Sequence, residues 1–175
     1  MPPLTKAALH KHLKELTEAE KTKVILDLFS KYEVVKKHFQ MELATDTTEI
    51  VQAYKDKIRK HYFPTRGYGD HKSGPVRKLV SEFKKISVFD YDLIDLILYR
   101  VEQAVAYTNA YGDIDAAFYE SAEGAYDDAL KLIEKNRLHD KFRERCRQIV
   151  LDTEDMGWGF YDELYGLYID TFGKL

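Results

Sequence analysis

Residues 91–111 read YDLIDLILYRVEQAVAYTNAY, and this stretch decides the fold. Its apolar residues do not alternate as they would in a half-buried strand. Ile94, Ile97, Leu98, Val101, Ala104, Val105 and Thr108 recur at three-and-four spacing, which lines one face of an α-helix. At 1.5 Å per residue the segment spans roughly 30 Å, enough for the central post of a bundle. Asp90 is placed to cap its start, and Gly112 to end it in a left-handed turn.

The same period extends in both directions. Upstream it predicts helices near 5–15, 18–29, 31–43 and 47–62. Three of the starts carry a capping-box pattern, Thr17 with Glu20, Ser30 with Glu33 and Asp46 with Glu49. Phe63 to Gly74 is the one long irregular segment, with Pro64, Gly67, Gly69 and Gly74 as helix breakers. Pro75 then suits the first turn of a helix running to about Ile86. Downstream, Asp113 is placed to cap a helix over 114–135 with the face Phe118, Ala122, Ala125, Tyr126, Ala129 and Ile133. Its small residues, with Gly124 beside them, predict a close approach to a neighbouring helix. A helix over 138–151 buries Leu138, Phe142, Cys146, Ile149 and Val150. A break from Asp152 to Gly159 leads to a last helix near 158–172, striped by Phe160, Leu164, Leu167, Tyr168 and Phe172.

This pattern predicts an all-α fold: an irregular antiparallel helical bundle or short α–α stack of about nine helices, in a single domain over 1–175. Helical hairpins of about 35–40 residues follow one another, but no side-chain pattern repeats between them. If the helices from 75 to 151 run up and down in turn, the loops at 63–74, 112–113 and 152–157 share one end.

Composition narrows the classes of function. Hydrophobic residues make up 45% of the chain, which argues against disorder. The net charge of −3 is too small to name a polyionic partner. Cys146 is the only cysteine, so an intrachain disulfide and a cysteine metal cluster are both excluded. A lone thiol suits a reducing compartment. The start Met-Pro-Pro-Leu-Thr-Lys lacks the pattern of a signal peptide, and Asp95 interrupts the most apolar run, Leu93 to Leu98. These features predict a cytoplasmic protein with no membrane partner.

Charge is uneven along the chain. Residues 55–78 hold eight Lys/Arg against two Asp, and residues 90–128 hold ten acids against Arg100 alone. The plain reading is two complementary surfaces of one bundle. The sharper one is a basic patch for an anion and an acidic patch for a cation or basic partner.

Three blocks stand out: Phe63-Pro64-Thr65-Arg66-Gly67; Tyr111-Gly112-Asp113 with Phe118-Tyr119 and Glu123; and Asp152-Thr153-Glu154 with Gly157-Trp158-Gly159-Phe160. In their order and spacing, over nearly the whole chain, they resemble a family of small bacterial proteins of unknown function. The resemblance implies a helical fold and a bacterial source and brings no activity, cofactor or partner. In that family a histidine follows the Gly-Trp-Gly-Phe block, where this chain has Tyr161.

The shared loop end makes Arg66 a candidate to meet Asp113, Asp152 or Glu154, either as a fork-shaped salt bridge pinning the loop or as an anion receptor with Lys72 and the N–H groups of the helix start near Ser73. Asp113 and Asp115 read as helix caps, or as part of a carboxylate site with Asp152, Glu154 and Asp155. Glu123 reads as paired or exposed, or, if buried, as an acid or base of raised pKa. Trp158, between two glycines, reads as a core anchor with ligand stacking as the alternative. Cys146 reads as inert core. His10, His12, His61 and His71 form no zinc-ligand spacing, and the acids form no calcium loop, so no metal or cofactor is expected.

Three function classes remain open. The first is a helical binding module for a protein or a small anionic ligand. The second is anion or nucleic-acid binding through 55–78, where basic residues interleave with Tyr62, Phe63 and Tyr68 as stacking rings; the acidic second half opposes a polyanion. The third is an enzyme with a polar site at one bundle end, although no Ser-His-Asp order, phosphate loop or dinucleotide fingerprint assigns a reaction. The candidate binding residues are Arg66, Tyr68, Lys72, Asp113, Glu123, Asp152, Glu154 and Trp158.

Overall fold

The computed structural model describes residues 3–175; Met1 and Pro2 of the N-terminal reading lie outside them. Among the described residues there are nine α-helices and no strand. They are α1 (Lys6–Glu15), α2 (Glu18–Lys31), α3 (Glu33–Leu43), α4 (Thr48–Tyr62), α5 (Ser73–Ile86), α6 (Asp90–Tyr111), α7 (Ala116–Asn136), α8 (His139–Leu151) and α9 (Phe160–Phe172).

The central post is α6. It packs against α4, α5, α7 and α8. A helix hydrophobic on most sides belongs inside, and α6 is buried on more than the one face that its spacing marks: Leu96 and Leu98 are fully covered from opposite sides. Side-chain pairs fix the helix directions. Asp90 meets Asn136 and Arg100 meets Ser121, so α7 runs antiparallel to α6. Tyr91 packs on Phe142 while Glu102 binds Arg145, so α8 runs parallel to it. Arg143 and His139 both reach Phe172, so α9 turns back along α8. From α6 to α9 the alternation expected from the short connections is therefore present.

Several caps differ from their sequence reading. Thr17 and Glu20 do form a reciprocal capping box. Ser30 does not cap α3: α2 continues through it, and its hydroxyl donates to the carbonyl of Leu26. Asp46 caps by accepting from the N–H and hydroxyl of Thr48, without Glu49. Asp90 lies inside α6, and Asn136 and Lys135 hold its carboxylate instead. Gly112 ends α6 at φ +86°, where a side chain would be strained, although its ψ of −178° is extended rather than left-handed helical. The close packing of α7 falls to Ala122, Ala125 and Ala129, all buried, whereas Gly124 faces open space.

The two charged regions meet in the bundle. Lys55 of α4 binds Asp95 at 2.7 Å. Arg145 of α8 holds Asp95 through Nη1 and Glu102 through Nε and Nη2. Burial opposes the charge on Arg145, but the two carboxylates outweigh that and raise its pKa.

One part of the chain escapes this packing. Neither α1 nor α2 contains a buried residue. Each of α3 to α9 contributes to the core. Phe29 of α2 reaches Phe39 of α3, with ring centroids 6.2 Å apart.

Candidate functional site

The three loops that carry the sequence blocks do gather at one end of the bundle. Phe63 stacks on Tyr111, with centroids 6.2 Å apart and planes at 23°. The hydroxyl of Tyr107 donates to the carbonyl of Gly69 at 3.3 Å. Asp113 then ties the second block to the third: its Oδ1 accepts from the Tyr119 hydroxyl and from the N–H of Gly157.

Asp113 is free to do this because Asp115, not Asp113, caps α7, accepting from the N–H of Phe118 at 2.8 Å. The two donors, Tyr119 first and then Gly157, hold the Asp113 carboxyl below its ordinary value. Burial first, and the hydrogen bond to Asp113 second, push the Tyr119 phenol up.

Arg66 does not join this lock. It is exposed, and among the described residues it makes no ion pair with Asp113, Asp152 or Glu154. Asp152 accepts from Gln148 at 2.7 Å, and Glu154 is exposed. The expected salt bridge is replaced by a phenol and a backbone amide, which already occupy the Asp113 oxygen.

Trp158 is not a core anchor. It is 63% exposed at φ +60°. It lines an open cavity of about 380 Å³ with Tyr119, Glu120, Glu123, Gly159 and Glu163. Burial, then the charges of Glu163 and Glu120, raise the Glu123 pKa. The structure thus brings Glu123 and Trp158 together, with Asp113 joined to their pocket through Tyr119. Asp152 and Glu154 line no part of it. Among the described residues no group of three or more His, Cys, Asp or Glu side chains is arranged to hold a metal.

The basic segment offers less than its sequence suggests. Tyr62 is buried and Phe63 is engaged with Tyr111, so of the three proposed stacking rings only Tyr68 stands free, at 92% exposure. The backbone of Lys72 is used locally: its N–H donates to Asp70 and its carbonyl meets His61 at 2.8 Å. Lys72 lines a crevice at the start of α5 that Asp115 also lines, and that carboxylate opposes an anion there. Cys146 is buried, and burial pushes its thiol up to about 12.

Two features were missed in the sequence. Arg145 bridges two acids of α6 seven residues apart, a spacing that puts both on one helix side. The other is the uncovered face of the first helices. Val24, Ile25, Leu28, Phe29 and Tyr32 of α2 and its end, with Leu9 of α1 and Val34 of α3, are each 38–53% exposed. Their three-and-four spacing was legible; their lack of a cover was not.

The model of a family described as "Family of unknown function (DUF6155)" matches residues 4–172, and the chain belongs to that family. No curated protein and no solved structure matches it.

Proposed function

We propose that this family member is a cytoplasmic helical interaction module that joins another protein through the apolar face of α1 to α3. The observation that carries this reading is the stripe Val24, Ile25, Leu28, Phe29 and Tyr32, apolar at helical spacing yet more than a third exposed throughout. Burying apolar surface is the main favourable term in association, and contiguous exposed patches of this kind mark interaction sites. The matched region begins at residue 4, so the arm belongs to the family's shared length. Among the described residues no helix is long and apolar enough to cross a membrane, and the single buried thiol suits a reducing compartment.

A photoreactive residue at Leu28 tests the reading, with one at the exposed Lys141 on α8 as control. Adducts with protein at Leu28 and not at Lys141 are expected in cells. No adduct at either position, or equal yields at both, would contradict a docking role for this face.

A second reading attaches to the pocket of Glu120, Glu123, Trp158 and Glu163. Glu123 carries the specific observation, since a raised carboxyl beside two others would be relieved by a cationic ligand, and the exposed indole adds a face for a cation. Titration with an alkylammonium followed by calorimetry tests it; heat that is the same for wild type and Glu123→Gln would remove the pocket from consideration.

A further inference from the structure

We propose that the occupant of the α1–α2 face is a second copy of this chain, the two arms pairing about a two-fold axis. The inference rests on the reading of that face as a docking surface.

The area is a substantial part of what an interface needs. At roughly 150–250 Å² for a free large side chain, the exposures of Val24, Ile25, Leu28, Phe29 and Tyr32 leave about 400 Å² of mainly apolar surface open along α2 on each copy. A stable interface takes about 800 Å² from each partner. A polar rim from Lys21, Lys23 and Asp27 would supply the rest. The α2 stripe alone already matches the largest patch a typical monomer exposes, about 300–600 Å².

The cover must also be permanent. α1 has 10 residues and α2 has 14, and neither buries a side chain within the monomer. Helices of this length are marginal alone in water, because helices in proteins draw their stability from packing a face. A copy of the same chain is present whenever the chain is, and obligate homodimer interfaces are the more hydrophobic kind. A two-fold arrangement sets the same patch against itself and closes without further growth.

Charge selects this surface over the others for self-pairing. Residues 4–34 carry six Lys against five Asp/Glu, so two arms meet with little repulsion. Elsewhere the chain is polarised: residues 35–89 carry twelve Lys/Arg against six acids, and residues 90–175 nine against nineteen. Pairing either of those regions with its own twin would set like charges together. Within the arm, Lys6, Lys11 and Lys14 on α1 and Glu18 and Glu20 at the start of α2 give each copy both signs to present.

Sedimentation equilibrium over roughly 1–100 µM chain tests the proposal, because a self-paired state depends on concentration. The wild type should weigh twice the 20.5 kDa of one chain. Ile25→Glu/Leu28→Glu should weigh one chain, with the circular dichroism of α3 to α9 retained to show that it folds. A wild-type mass of one chain across the range overturns the proposal, as does a variant that still pairs. The docking reading is separable: a one-chain mass with a Leu28 adduct to a different protein ends the second-copy inference alone, whereas a one-chain mass with no adduct ends both.

Discussion

The Oδ1 atom of Asp113 accepts a hydrogen bond from the backbone N–H of Gly157, 44 residues further along the chain, at 3.1 Å. The contact joins the turn before α7 to the turn before α9, and the Tyr119 hydroxyl shares the same oxygen. It ties together two loops far apart in sequence, and through Tyr119 it connects to the pocket that holds Glu123 and Trp158.

Removing the acceptor frees the third block. In Asp113→Ala the Gly157 amide should exchange with solvent about tenfold faster, while amides in the middle of α6 are unchanged. The pH dependence follows from the depressed carboxyl. Its stabilisation is present above the ordinary value of 3.8 and is lost as pH falls through the lower folded value. In wild type the Gly157 amide should therefore lose its protection only in strong acid, and loss of protection between pH 5 and 7 would show that Asp113 does not hold it.

Two glycines should respond in opposite directions. A Cβ at Gly69 would lie 1.6 Å from the Tyr62 carbonyl oxygen, an immovable backbone atom. Gly69→Ala should destabilise by about 2–4 kcal/mol. Gly124 is helical with open space where its Cβ would be, so Gly124→Ala should stabilise by up to about 1 kcal/mol. Urea denaturation of the two variants checks both signs.

Arg145 holds two carboxylates of α6 that are only about a fifth and a third exposed. Arg145→Ala leaves Asp95 with Lys55 alone and Glu102 with no cation within ion-pair distance, and should cost about 2–4 kcal/mol in chemical denaturation. Arg145→Lys should recover part of that loss, because one ammonium cannot reproduce the forked contact. Full recovery by lysine would show that charge rather than geometry matters at this junction.

The helices were legible because a 3.6-residue period is a local property, and all nine are present, with most ends within two residues of the sequence reading. The caps were less so. Ser30, Asp90 and Asp113 each fit a local capping pattern, but a tertiary or helical partner claims each side chain: Leu26, Asn136 and Gly157 respectively. The gathering of the loops followed from connection lengths, whereas the residues that join them did not. Arg66 has charge and reach but no acid positioned for it, and a phenol and a backbone N–H, which no charge pattern reveals, make the joint instead. An apolar stripe on α2 could be read from spacing, but only packing shows that the described residues leave each of its side chains more than a third exposed.

Glu123 offers a test with the reverse sign to Asp113. Its raised pKa means that its ionised form is disfavoured in the folded state, so the cost sets in as pH rises above the ordinary value of 4.5 and is complete above the folded value. Glu123→Gln should therefore stabilise the fold at pH 7 by under about 1 kcal/mol once solvent screening is allowed for, read as a higher melting temperature. The gain should vanish near pH 4. An equal gain at both pH values would show that packing, not charge, is responsible.

Amide exchange along α2 tests the central claim most directly. If a second copy covers the α1–α2 face, amides from Val24 to Phe29 in the wild type should be protected at high chain concentration. In Ile25→Glu/Leu28→Glu they should exchange at least about tenfold faster, while α6 stays as slow as before. Equally slow exchange in wild type and variant would mean that α2 is held without any cover, and unprotected exchange in both would mean that nothing covers it. Either result contradicts the account.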